Sequence, residues 1–254
     1  MRDYLIFRLY GPMASWGEIA VGENRHSFSY PSKSAIMGLV ASALGYKREE
    51  EEKHILLTKS LSFGVKVYNS GILLRDYHTV QVPPNKGKVI YTTRKEELRE
   101  KLELNTILSS RDYRMDAMYD VCIWKKNDEI DLVEVHKKLN EPVFPLFLGR
   151  KSCVLASPLF ASLIGENDLF SAFSKYTQYL DSRFKDAKVD NFFENKKLNS
   201  NYTEYIWEND SKESSTEIRT RRDEVLSRKR WQFSERKEFY KMIPKEDHNV
   251  SIQS

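Results

Sequence analysis

Two blocks of this chain carry the residue types that receive phosphates. One is Leu148-Gly149-Arg150-Lys151-Ser152, where a glycine turn sits beside two cations and a hydroxyl at the end of an apolar run. The other is the N-terminal run from Tyr4 to Gly17, continued by Pro31-Ser32-Lys33-Ser34-Ala35-Ile36-Met37-Gly38-Leu39. Lys33 and Ser34 fall at the predicted start of a helix, where free N–H groups and the helix dipole favour an anion. Ordinary capping by Ser32 is a compatible reading of the same residues. The 148–152 block is not a Walker A loop, because the GxxxxGK[ST] spacing is absent. By chemistry alone a Gly-Arg-Lys turn is also a common solvated loop. Trp16, between Gly11 and Gly17, has two readings: a plug for the edge of the core, or an exposed ring for stacking a base. Arg111 and Tyr113 present a guanidinium and a ring to a nucleotide, or else Arg111 pairs with Asp112 or Asp116 on the surface.

Catalytic chemistry has one candidate. No Ser-His-Asp or Cys-His order with a supporting motif stands among the five histidines. Asp76-Tyr77-His78 alone resembles acid–base machinery. Metal-free RNA cleavage needs a base for the 2′-hydroxyl and an acid for the leaving oxygen, and Tyr77 and His78 have those functions. A hydrogen-bonded structural histidine is the competing reading. Cys122 and Cys153 lie far apart with no CxxC pair and no Cys/His ligand cluster. Reduced core thiols, no metal and no cofactor are expected.

The charge is unevenly placed. The net charge is only +4. Residues 212–241 hold ten Lys and Arg against six Asp and Glu, so the rest of the chain is balanced. Arg219-Thr220-Arg221-Arg222 and Arg228-Lys229-Arg230-Trp231-Gln232-Phe233 interleave cations and aromatics there. A nucleic-acid stripe, a docking edge and a plain solvated face all fit. No apolar run reaches the roughly 20 residues of a membrane span, and a cytoplasmic protein without a membrane partner is expected.

These residues need elements to position them. Residues 4–10 read as a buried strand ended by Gly11-Pro12. Residues 12–31 read as a loop. Ser32 is a predicted N-cap, the apolar face Ile36, Leu39, Val40, Ala43 and Leu44 a helix, and Gly45 its stop. A second short helix runs from Glu49 to about Ser60. Strict alternation predicts a strand over 61–67, and residues 72–80 read as extended. Alternation over 115–123 predicts another strand, followed by a helix at 128–139 and an extended run at 142–148. The order is that of a ferredoxin-like β-α-β-β-α-β unit, of which the RRM is one version. Residues 81–112 form an excursion rich in Lys and Arg, long enough to suggest function or disorder. Beyond Phe160 a helix is predicted at 168–180, residues 188–215 are undecided, and 216–243 read as extended. The expected class is α+β, with a first domain at 1–155 and a β-rich extension at 156–254.

The blocks YLIFRLYGPMASWG, PSKSAIMGLV, LRDYHTV, TILSSRDYRMDA, PLFLGRKSCVLASPLF and RRDEV…RWQFSERKEFY stand in one order. In that order they resemble the fifth Cas core family of the RAMP superfamily, in its type I-E Cascade branch. The resemblance covers residues 1 to about 165 and resumes at 219–241. It implies a ferredoxin-like palm with an inserted thumb at 81–112. It implies capture of the 5′ handle of the CRISPR RNA by a non-catalytic subunit that caps the Cascade filament. Cascade's backbone and large subunits would be partners, with target DNA met only through the complex. The implied RNA contacts are Arg111, Tyr113, Leu148, Gly149, Arg150, Lys151 and Ser152. Trp16, Arg25, Lys33 and Ser34 would line the same surface, and Lys86 and Lys88 the thumb. Type I-C relatives cut RNA with Tyr, Lys and His, so the resemblance leaves an endoribonuclease acting through Tyr77 and His78 as the alternative.

Overall fold

The computed structural model describes residues 1–18, 20, 22–84, 90–98, 104–187, 201–208 and 213–244. The first strand, β1 (Arg2–Tyr10), is apolar along its buried length except at Arg8, because both of its faces are covered. Leu5, Phe7 and Leu9 face one core and Tyr4, Ile6 and Tyr10 the other. Successive side chains point to opposite faces of a strand, so one run, apolar at every buried position but Arg8, serves two layers.

Two short strands, β2 (Met13–Ala14) and β3 (Asn24–Arg25), precede helix α1 (Lys33–Leu44). The Ser32 side chain accepts from the Ala35 N–H, and Gly45 closes the helix at φ 79°, as its sequence predicts. Helix α2 (Glu51–Ser60), strand β4 (Leu61–Asn69) and strand β5 (Ile72–Val82) follow. A single helical turn, α3 (Arg94–Glu97), precedes β6 (Asn105–Met115) and β7 (Met118–Lys125). Then come α4 (Leu132–Asn140), β8 (Ser162–Glu166), α5 (Leu169–Ala187), β9 (Tyr202–Glu208), β10 (Glu217–Ser227) and β11 (Gln232–Pro244).

The main sheet has seven strands in the order β10-β11-β9-β4-β7-β1-β8. Every neighbouring pair is antiparallel. On one face Ile36 and Val40 of α1, Leu57 of α2 and Val135 and Leu139 of α4 complete the core. On the other, Leu169, Phe173, Tyr176 and Leu180 of α5 pack against Trp124 and Trp207. The result is a sheet-rich mixed α/β fold in three layers.

Strand β5 leaves this sheet and pairs along its whole length with β6, from Ile72↔Met115 to Val82↔Asn105. The other edge of β6 receives β2 antiparallel and β3 parallel. The alternation over 115–123 therefore spans two strands of different sheets. Asp116, at φ 61°, marks the break.

Two expectations are corrected. Pro142–Leu148 is not a strand of the sheet, apart from an isolated bridge between Phe147 and Val154. Its prolines have no N–H to donate. The donors of Val143 and Phe144 go instead to the carbonyls of Ala43 and Ser42 at the end of α1. The place beside β1 is taken by β8. The undecided stretch 188–215 contains β9, an interior strand between β4 and β11.

Candidate nucleic-acid interface

The Gly149 loop is a tight turn pressed onto the N-terminal block. Leu148 donates its N–H to the Cys153 carbonyl (2.7 Å), and Cys153 donates to the Arg150 carbonyl (2.9 Å). Ser15 donates to the Leu148 carbonyl (3.0 Å), which fixes the loop to the chain after β2. Leu148 and Cys153 are buried anchors, and Lys151 and Ser152 project into solvent between them. Gly149 sits at φ 86°, and a Cβ there would lie 1.8 Å from the Ser15 carbonyl oxygen. Only glycine permits this approach.

Arg150 lies over the ring of Tyr113, its guanidinium carbon 4.9 Å from the centroid. Tyr113 is buried beneath it, so the ring is a platform for Arg150 and not a free stacking surface. Two residues back along β6, on the same strand face, is the exposed Arg111. The sheet register sets Arg25 of β3 and Asp76 of β5 on either side of it. Arg111 has no ion-pair partner among the described residues. Two guanidinium groups on adjacent strands repel unless an anion joins them. Arg25, Arg111 and Arg150 thus lie along one surface with Lys151 and Ser152, and a phosphate chain is the chemistry that surface fits.

The opposite face of β6 is structural. Asp112 accepts from Arg75 Nε (2.8 Å) and Nη2 (3.1 Å) and contacts His26 Nδ1 (3.0 Å). Arg111 does not pair with it, because neighbours in a strand point to opposite faces. Asp116 instead accepts from the Tyr10 hydroxyl (2.8 Å). The hydrogen bond from Arg75 holds the Asp112 carboxyl down at about 2, with His26 adding to it. A carboxyl depressed in the folded state contributes stability that is complete above the unfolded value, roughly 3.9, and is lost as pH falls toward 2. Asp112→Asn is expected to flatten the acid side of the stability curve between about pH 4 and pH 2. Urea midpoints against pH measure this, and a curve parallel to that of the parent protein would refute it.

Other sequence-predicted positions fall elsewhere. Trp16 is buried edge-to-face against Tyr119 (5.8 Å), so the core-plug reading holds and the stacking reading does not. Lys33 is fully buried, its Nζ 2.7 Å from Glu208 Oε1, and its backbone N–H donates to Asp223 Oδ2 (2.7 Å). Burial pushes the Lys33 amine down and Glu208 pulls it back. Carboxylates therefore already occupy the anion site expected at the start of α1. Ser34 is half-buried, its hydroxyl 3.0 Å from that of Ser32. Lys86 and Lys88 lie outside the described residues. Tyr77 and His78 point to opposite faces of β5, and His78 Nε2 is 2.5 Å from Asp76 Oδ2. Among the described residues no group of three His, Cys, Asp or Glu is placed to hold a metal ion. No described helix is long and apolar enough to cross a membrane. Sequence reasoning missed Arg75 and His26, whose role depends on a carboxylate that only the register brings to them.

The family model described as CRISPR-associated protein (Cas5) matches residues 4–238. The chain is 31% identical over 185 residues to the CRISPR system Cascade subunit CasD of Escherichia coli (strain K12). That match takes in 69% of this chain and 78% of the relative. A chain of a solved CRISPR RNA-guided surveillance complex superposes with a TM-score of 0.60 at 21% identity, covering 95% of this chain and 89% of that one. A solved Cas protein superposes with a TM-score of 0.59 at 25% identity, covering 96% of each chain.

Proposed function

The chain belongs to the Cas5 family of CRISPR-associated proteins, and from that premise we propose that it binds the 5′ handle of CRISPR RNA within a type I-E Cascade complex without cutting it. One observation carries the reading: the glycine loop at 148–153 holds Arg150 over Tyr113 beside the Arg25–Arg111 row. Such a surface tracks a sugar–phosphate backbone and leaves the bases free to splay. Guide pairing would then supply target specificity, and the protein would not read target sequence.

The fold supports the same reading. Strands β4, β7, β1 and β8 lie in that order with α1 and α4 as crossovers, which we read as a ferredoxin-like palm made of residues 1–155 and β8. The β5–β6 hairpin is read as the thumb, longer than 81–112 because pairing starts at Ile72. Leu73 and Tyr77 are exposed on one face of that hairpin and would pack against the neighbouring backbone subunit. Strands β9, β11 and β10 extend the sheet, which we read as the C-terminal extension expected at 156–254, and the basic β10–β11 hairpin would face the large subunit or target DNA.

The alternative, a metal-independent endoribonuclease, rests on the solvent-accessible His78–Asp76 contact. Against it, Tyr77 faces away from His78, so the two do not converge on one phosphate. One experiment separates the readings. Labelled cognate repeat RNA is mixed with the protein in EDTA and run on native and denaturing gels. The expected result is a shifted, intact RNA. Arg111→Ala and Arg150→Ala are each expected to weaken binding by about tenfold or more with the melting temperature nearly unchanged. A discrete product that disappears in His78→Ala would make the protein a processing nuclease.

A further inference from the structure

A groove of about 700 Å³ runs between α1 and the β10–β11 hairpin. Its size is that of a small-ligand site. One wall is Ser34 and Gly38 of α1, and the other is Arg221, Arg228, Trp231 and Phe233. Gly149 lines it too, so the groove opens from the loop already described.

Its cations are not balanced. The Arg221 side chain is 9% exposed, and neither of its terminal nitrogens has a hydrogen-bond partner among the described residues. Its guanidinium carbon rests 4.1 Å from the Phe28 ring centroid and 4.8 Å from that of Tyr30. Asp223 is 3.8 Å from its Nε, but that carboxylate is committed to Arg236 (2.6 Å) and to the Lys33 N–H (2.7 Å). Arg228 donates to the Ser34 carbonyl and reaches in over Gly38, where a Cβ would stand 3.1 Å from its Nη2. Arg222 is a third cation, and among the described residues Glu18 and Asp223 are the only acids lining the groove. Buried guanidinium donors without acceptors are costly, and an anion in the groove removes that cost. At its mouth Trp231 is 58% exposed, with Arg48 over the ring at 4.8 Å.

We propose that this groove is a second nucleotide subsite, which takes one unpaired ribonucleotide of the strand held at Gly149–Ser152. The phosphate sits on Arg221 and Arg228, and the base stacks on the Trp231 face not covered by Arg48. The proposal rests on the RNA-binding reading and extends it to residues outside the glycine loop.

Arg228→Gln and Trp231→Ala test it, because Trp231 is exposed on a turn and both variants can be checked by thermal melting. Each is expected to raise the Kd for the repeat RNA about tenfold. Arg228→Gln is expected to reduce the slope of log Kd against log salt by about 0.7, one single-strand phosphate contact. Unchanged Kd and slope in folded variants, while Arg150→Ala weakens binding, would overturn the subsite and leave the parent reading standing. If the parent protein binds no repeat RNA, the parent reading fails, and adenosine 5′-monophosphate becomes the probe. Quenching of tryptophan emission that disappears in Trp231→Phe would keep the groove as a nucleotide site. Absence of quenching would overturn that as well.

Discussion

Gly149→Ala is expected to cost both stability and RNA affinity, and to do so more than removal of any single cation of the surface. The residue lies at φ 86°, in the left-handed region. An alanine there costs about 1–2 kcal/mol in backbone energy alone. The new Cβ would also stand 1.8 Å from the Ser15 carbonyl oxygen and 2.9 Å from its carbonyl carbon. Those are backbone atoms, so no rotamer change relieves the contact. The loop has to lift, which breaks the bond from the Ser15 N–H to the Leu148 carbonyl. Overpacking of this kind adds about 1–3 kcal/mol. Lifting the loop carries Arg150, Lys151 and Ser152 away from Arg111 and Arg25 together. The RNA affinity of the folded fraction is therefore expected to fall further than in Arg150→Ala. Gly17→Ala is the control, because a Cβ at Gly17 meets nothing within 4 Å. Urea unfolding and RNA titration of both variants measure the difference. Gly149→Ala with parental stability and affinity would mean that the loop is not pinned to Ser15.

The Gly149 loop was legible because its chemistry is local. A glycine, two cations and a hydroxyl adjacent in sequence are adjacent in space whatever the fold does. Helix α1 was legible for the same reason, since Ser32, its apolar face and Gly45 act within fourteen residues. For Lys33 and Trp16 the sequence left an RNA-facing role open because residue type does not reveal burial. The partners that neutralise Lys33 are Glu208 and Glu224, on the C-terminal strands β9 and β10. Nothing near Lys33 in sequence announces them. The strand at Tyr202–Glu208 carries a usable signal in Thr203, Tyr205 and Trp207 alternating with Ile206. Its polar flanks masked that signal. The run at 142–148 failed for the opposite reason: it looks like a strand by composition, but its donors cap α1.

The largest stability effect is expected at a pair that plays no part in RNA binding. Arg8 and Asp120 stand directly opposite on β1 and β7. Both are fully buried, with Arg8 Nε 2.8 Å and Nη2 3.1 Å from the carboxylate. Burial alone would push the Arg8 guanidinium down, and Asp120 overrides it so that the group is held charged. The Tyr68 hydroxyl also donates to Asp120 (2.9 Å) and covers the pair. Asp120→Ala removes the carboxylate and leaves the cation in the core under α5. Breaking a buried pair in this way costs about 3–5 kcal/mol. That is a large share of the roughly 5–15 kcal/mol that holds a domain folded. The pair itself is weaker evidence of stability than that loss suggests, because its own desolvation offsets much of the attraction. Replacing both partners, Arg8→Met with Asp120→Leu, is therefore expected to regain most of what Asp120→Ala loses. Denaturant titrations of the three proteins test both halves of the argument. A loss below about 1 kcal/mol in Asp120→Ala would place the pair in the range of solvated ion pairs and sink it. The pair lies on the α5 face, whereas Leu148, Trp16 and Tyr113 belong to the opposite core. RNA affinity corrected for the folded fraction is accordingly expected to be unchanged in Asp120→Ala and reduced in Gly149→Ala, which separates holding the fold from holding the strand.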